Sequence, residues 1–110
     1  MNVYDTANKL AQEIKESNEY KEYKKRKDII KSNPELKQRI EEFEKVRYDV
    51  QVLAVKGQQA NEEKMAKLQE LYTMLIQNPE VKQYFDLEVK FNVMVADVNK
   101  IIGEAIKDVL

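Results

Sequence analysis

Apolar residues recur every three or four positions along almost the whole chain, which is the period of an amphipathic α-helix. Short polar breaks interrupt this period near Ser17, Ser32, Gln58 and Asn78. The chain has only two glycines and two prolines, a composition that suits long helices better than a sheet with many turns. We predict a single all-α domain of four to five helices, at roughly 3–16, 18–31, 34–56, 62–77 and 79–108.

Two of the predicted helices begin with the same signal, Asn-Pro-Glu. Asn33 and Asn78 can each accept hydrogen bonds from free backbone N–H groups, and the proline that follows fits the first helical position. The match extends to Gln38 and Gln83 at an offset of 45 residues. It indicates either a duplicated helix–turn–helix unit or two uses of one good helix start.

The second start opens the longest predicted helix, which would measure roughly 45 Å. A compact domain of this size is only about 30–35 Å across. We therefore expect an elongated helical bundle in which the two Asn-Pro-Glu helices are long and antiparallel. Gly103 lies within the last helix, where it indicates a bend or close packing.

The last helix carries two apolar stripes, and each needs a surface to pack against. A neighbouring helix of the same chain can cover one stripe. The other predicts a second copy of the chain, hence a homodimer or higher homo-oligomer; the alternative is that the first two helices fold back over it. The candidate interface consists of Val81, Phe85, Val89, Phe91, Val93, Met94, Val98 and Ile101.

The composition leaves little scope for catalysis. The chain has no cysteine and no histidine, so it lacks thiolate chemistry and the commonest general base and metal ligand. The acidic groups Glu41, Glu42 and Glu44, and Asp86 with Glu88, are interpreted as surface, because residues two apart on a helix point to different sides. Met65, Met74 and Met94 are interpreted as core residues. We expect a protein that is not an enzyme and needs no cofactor or metal.

The net charge of −1 creates no field that would attract nucleic acid or a membrane surface. The first residues show neither the basic region nor the apolar run of a signal peptide. The most apolar segment, residues 84–98, contains four charged residues, which argues against a transmembrane helix. The expected location is the cytoplasm, without membrane insertion.

One basic cluster favours an alternative partner. Residues 20–27 interleave two tyrosines with basic side chains, an arrangement that can hold RNA phosphates and stack bases. The candidate RNA contacts are Lys21, Lys24, Lys25, Arg26 and Lys27. Acidic residues interrupt the cluster, however, and residues 1–31 have a net charge of only +2. A solvated helix face with inward tyrosines is therefore favoured over an RNA-associated accessory factor.

Several segments resemble a bacterial family. They are Val-Tyr-Asp-Thr-Ala-Asn-Lys-Leu at residues 3–10, the early Ser-Asn-Glu-Tyr, the Asn-Pro-Glu-Leu-Lys helix start and Val-Asn-Lys-Ile-Ile at residues 98–102. These segments are similar to the YlbF/YmcA type, and within it to the YheA-like branch of small uncharacterised proteins. The resemblance spans nearly the whole chain and consists of helix starts and core positions.

The resemblance implies an all-helical, self-associating chain of Gram-positive-type bacteria, without catalytic residues. Better-understood relatives are non-catalytic partners in a cytoplasmic complex. That complex influences competence, biofilm formation, sporulation and RNA processing by a membrane-attached endoribonuclease. Some relatives help to hold iron–sulfur clusters through cysteines. Since this chain has no cysteine, that property is not carried over.

Overall fold

The computed structural model describes residues 2–58 and 62–110, and every regular element in this part of the chain is an α-helix. The helices are α1 (Val3–Glu16), α2 (Asn18–Lys31), α3 (Pro34–Val55), α4 (Glu62–Leu75) and α5 (Pro79–Ile106). The predicted all-α fold is confirmed, and each helix begins at the predicted residue. Residues 59–61, which follow the polar break near Gln58, lie outside the described residues.

Asparagine side chains cap the two helices that open with Asn-Pro-Glu. The side-chain oxygen of Asn33 accepts the backbone N–H groups of Glu35 at 3.1 Å and Leu36 at 3.2 Å. The side-chain oxygen of Asn78 accepts the N–H of Glu80 at 2.9 Å. These bonds satisfy donors that have no partner inside the helix, so the sequence signal acts as predicted.

Replacing either cap, as Asn33→Ala or Asn78→Ala, should lower the free energy of unfolding by about 1 kcal/mol, because the first N–H groups lose their acceptor. Urea unfolding followed by circular dichroism measures this change. Gln38→Ala is a matched control on the exposed surface of α3 and should change stability by less than about 0.5 kcal/mol. Equal unfolding midpoints for all three variants would contradict a capping role.

Three helices end one or two residues earlier than predicted, at Val55, Leu75 and Ile106. The end of α4 has a local cause, because Asn78 precedes a proline and such a residue avoids helical backbone. At the end of α5, the N–H groups of Val109 and Leu110 both donate to the carbonyl of Ile106, at 3.1 Å. The last residues therefore form a turn instead of a further helical turn.

A glycine caps the C-terminal end of α3. Gly57 has a φ of +73°, in the left-handed region that glycine adopts without steric strain. Its N–H donates to the carbonyl of Ala54 at 3.0 Å, and the N–H of Gln58 donates to that of Leu53 at 2.8 Å. This pair of bonds is a Schellman motif, which satisfies the last carbonyls of the helix.

Contacts divide the chain into two compact units. The central unit is Asp28–Gln83, and the terminal unit combines the residues up to Lys27 with Tyr84–Leu110. In the central unit α3 and α4 are antiparallel neighbours, joined by an ion pair of 3.5 Å between Glu42 and Lys67 and by the rings of Phe43 and Tyr72 at 6.1 Å. Its buried side chains are Ile30, Ile40, Phe43, Leu71, Leu75 and Val81.

The interpretation of the methionines as core residues is wrong for two of the three. Met65 and Met74 are exposed, whereas Leu71 and Leu75 on the same helix are buried. At 100° per residue, each methionine lies about a quarter turn or more away from the line through these two leucines. They therefore lie beside the face of α4 that packs inward.

Candidate functional site

Aromatic side chains join residues 18–27 of α2 to α5 in the terminal unit. The ring of Tyr23 lies 5.5 Å from the rings of both Tyr84 and Phe91, and the ring of Tyr20 lies 6.1 Å from that of Phe91. These separations fall in the range in which aromatic pairs attract each other. Because Tyr20 contacts only the later of the two α5 rings, the two helices run antiparallel.

The rings of Tyr20, Tyr23, Tyr84 and Phe91 form an aromatic cluster. The Tyr23 hydroxyl makes a hydrogen bond at the edge of this cluster. It donates a hydrogen bond of 3.2 Å to Oε2 of Glu88. Burial raises the pKa of Tyr23, and the neighbouring Tyr84 and Glu88 side chains raise it further. The phenol therefore remains protonated and continues to donate. The Nζ of Lys27 lies 5.7 Å from the centre of the ring, close enough for a cation–π contact.

These contacts decide how the basic cluster can act. Tyr20 and Tyr23 pack inward, as the favoured interpretation of the sequence predicted, so their rings are engaged by α5 and not free to stack on bases. Lys21, Lys24 and Lys25 are exposed, while Arg26 and Lys27 are half-buried. The cluster thus retains charge without free aromatic rings, and RNA binding through it stays an untested prediction.

The two apolar stripes of α5 differ in burial. On the first, Tyr84 is buried and Phe91 is half-buried against the aromatic cluster. On the second, burial changes along the helix: Val81 and Phe85 are buried, whereas Val89 is 60% and Val93 54% exposed. Val81 and Phe85 were assigned to the candidate interface, but both belong to the interior of this chain. Five of the eight predicted interface residues remain outside the interior and the aromatic cluster.

These five side chains line a single shallow groove of about 570 Å³ in the terminal unit, the α5 groove. They are Val89, Val93, Met94, Val98 and Ile101. Three charged residues complete the lining: Glu19 from α2, and Lys90 and Asp97 from α5. None of these three was among the candidate interface residues. Lys90 and Asp97 could have been found from the sequence, because opposite charges seven residues apart lie on one face of a helix.

A second apolar surface of the terminal unit lies on α1. None of its residues is buried, although Ala7, Leu10, Ala11 and Ile14 form an apolar stripe; only Leu10 and Ile14 are half-buried. The helical spacing of these four residues is the signal by which the sequence indicates the stripe. The close packing expected at Gly103 is not found among the described residues, because a Cβ there would meet nothing within 4 Å.

Of the acidic residues interpreted as surface, Asp86 is exposed as predicted, whereas Glu44 and Glu88 are half-buried. Glu41 and Glu42 are exposed, Glu42 pairs with Lys67, and Glu88 accepts from Tyr23. In residues 2–58 and 62–110, no three acidic, histidine or cysteine side chains come together as a metal site would require. Over the same residues, no helix is long and apolar enough to span a membrane.

Comparisons with known sequences show a family and several relatives that are similar to the chain over nearly its whole length. Residues 3–107 match the family model described as control of competence regulator ComK, YlbF/YmcA. The chain is 36% identical over 106 residues to a UPF0342 protein of Caldicellulosiruptor bescii, covering 96% of this chain and 89% of that one. It is 35% identical over 102 residues to a UPF0342 protein of Halothermothrix orenii, covering 93% and 86%.

A solved structure also resembles the chain. It is a protein of unknown function (DUF964) from Bacillus stearothermophilus, with a TM-score of 0.81 over 96% of this chain and 93% of that one. The two sequences are 14% identical, so this likeness concerns the fold alone.

Proposed function

The chain belongs to the YlbF/YmcA family, and we propose that it is a non-catalytic protein that self-associates and acts by binding other protein chains. The observation that carries this proposal is the exposed apolar groove on α5, between Val89 and Ile101. Ile101 is 70% exposed, and Val89 and Val93 are more than half exposed. A run of this kind on one helix face is typical of interaction surfaces.

The free energy available at this groove supports association. Fully burying a side chain the size of valine or isoleucine is worth about 1.5–3 kcal/mol. Val89, Val93 and Ile101 retain more than half of that gain for a partner. Two copies that meet through the same face gain it twice, because an interface between identical subunits uses each residue on both sides.

The proposed role is regulatory and cytoplasmic. The description of the matching family names control of the competence regulator ComK, and the names of the relatives give no activity. We assign this chain to the same kind of work, as an accessory protein in a cytoplasmic complex. The chain lacks cysteine and histidine, which supports a binding role more than a catalytic one.

Sedimentation of the unmodified chain tests self-association. We expect monomer at low micromolar concentration and a growing dimer fraction as concentration rises. Because the groove is mainly apolar, the dimer should persist at moderate salt, where contacts made only by exposed charges are screened. A chain that stays monomeric up to near-millimolar concentration would overturn self-association.

A further inference from the structure

Two opposite charges in the α5 groove have no partner of their own. Lys90 and Asp97 both line the groove, and neither forms an ion pair with another described residue. They are seven residues apart, roughly 10.5 Å along the helix. Ion pairs within a helix join residues three or four apart, so these two side chains are too distant to neutralise each other.

The residues around these charges form a symmetric pattern. Val93 and Met94 lie midway between Lys90 and Asp97, and Val89 and Val98 lie just outside them. From Val89 to Val98 the order along α5 is therefore apolar, basic, apolar, acidic and apolar, while Ile101 and, from α2, Glu19 line the groove outside this segment. Reversing the direction of the helix gives the same order with the two charges exchanged. This segment of α5 is complementary to an antiparallel copy of itself.

We propose that two copies of the chain pair through antiparallel α5 helices, with a two-fold axis between Val93 and Met94. In this arrangement Lys90 of each copy faces Asp97 of the other, and Val89 of each copy packs near Val98 of the other. The pairing rests on the proposed self-association and gives it a surface and a register. The two-fold axis makes each charge contact occur twice.

The apolar area indicates how tight this pairing is. Side chains of this size expose about 60–120 Å² when free, so five of them at roughly half exposure offer about 150–300 Å² per copy. A stable interface buries about 800 Å² per partner, of which about 60% is apolar. The α5 groove supplies only part of that area. The dimer should therefore exchange with monomer at micromolar concentration.

The two charges mainly determine the register of the dimer, that is, which residues of the two α5 helices face each other. Exposed ion pairs add little affinity, but like charges placed face to face disfavour a wrong alignment. Shifting the antiparallel helices by one turn would take Lys90 away from Asp97 of the partner. The two ion pairs thus select one alignment from several that the apolar side chains alone would tolerate.

Charge reversal tests this register. Lys90→Glu and Asp97→Lys should each raise the dissociation constant of the dimer by at least about tenfold, because each creates two like-charge contacts and removes two favourable ones. The double variant Lys90→Glu/Asp97→Lys should return to within about threefold of the unmodified chain, since the pairs are restored with their signs exchanged. Sedimentation equilibrium at low salt measures all four constants.

Mixing the two single variants gives a test that a folding defect cannot imitate. In a dimer of one Lys90→Glu copy and one Asp97→Lys copy, both charge contacts are attractive, so an equimolar mixture should associate more tightly than either variant alone. Lys45→Glu on α3 makes the same charge change outside the groove and should leave the constant unchanged. Lys45 is exposed in the central unit.

The results of these experiments distinguish a wrong register from an absence of self-association. If the unmodified chain dimerises but neither the double variant nor the mixture restores association, the register is wrong and self-association stands. If the unmodified chain is monomeric throughout, both are overturned. Rescue in both experiments, with Lys45→Glu unchanged, would support the antiparallel α5 pair.

Discussion

Val81→Asp is expected to lower the free energy of unfolding by at least about 4 kcal/mol, enough to leave much of a small domain unfolded. Val81 is 0% exposed and is the only fully buried side chain among the described residues. An aspartate there must either bury a carboxylate without a partner or force the surrounding residues apart. Val81→Ala, which only removes two methyl groups, should cost about 2 kcal/mol.

A competing effect acts in the opposite direction and is smaller. Val81 lies in the first turn of α5, two residues after Pro79, where a negative charge stabilises the helix by about 0.3–1 kcal/mol. Burial of the carboxylate costs several times more. Val81→Asp should therefore lower the free energy of unfolding, and the favourable interaction with the helix dipole only makes this loss smaller.

Val89→Asp provides the matched control for Val81→Asp. It makes the same substitution on the same apolar stripe of the same helix, but Val89 is 60% exposed. We expect a change within about 1 kcal/mol, since the aspartate can reach water. Both variants should be unfolded in urea at a protein concentration where the unmodified chain is monomeric, because association would add stability of its own. Equal losses would contradict the assignment of Val81 to the interior.

The contrast between these two valines also shows what the sequence could not predict. Hydrophobic period fixes which face of a helix a residue lies on, and Val81 and Val89 share a face. The period does not say how far along that face the rest of the chain extends. In α5 the buried side chains stop at Phe85, and this limit depends on tertiary packing that no local pattern contains.

Helix starts were predictable because their causes are local. Asn33 and Asn78 each accept N–H groups two or three residues ahead, so the signal and its effect lie within one short segment.

The function of Tyr20 and Tyr23 was harder to predict. Their place in a basic cluster was compatible with RNA binding, and the positions of Tyr84 and Phe91 opposite them show that they pack within the protein.

The α5 groove likewise could not be delimited from the sequence alone. The eight residues predicted to form one interface are divided among the interior, the aromatic cluster and the α5 groove. Phe91 was an obvious choice for disrupting association, but its ring contacts Tyr20 and Tyr23. A charge at Phe91 would damage the fold and the interface together, so an exposed groove residue gives the cleaner test.

Val93→Asp is expected to raise the dissociation constant of the dimer by at least about 100-fold, equivalent to about 2.8 kcal/mol. Val93 is 54% exposed in the single chain, so the variant should fold with nearly unchanged stability. In the dimer it lies beside the proposed two-fold axis. Each dimer would therefore carry two aspartates close together beside Met94, and both desolvation and repulsion oppose association.

Asn92→Asp is the matched control, because it adds the same charge one residue earlier. Asn92 is exposed and does not line the groove, since adjacent residues on a helix point about 100° apart. Sedimentation of the two variants should therefore give a monomer for Val93→Asp and a dimer close to that of the unmodified chain for Asn92→Asp. If both associate equally well while retaining their helical circular dichroism, the α5 groove is not the self-association surface. The apolar stripe of α1 would then be the next surface to test by the same substitution.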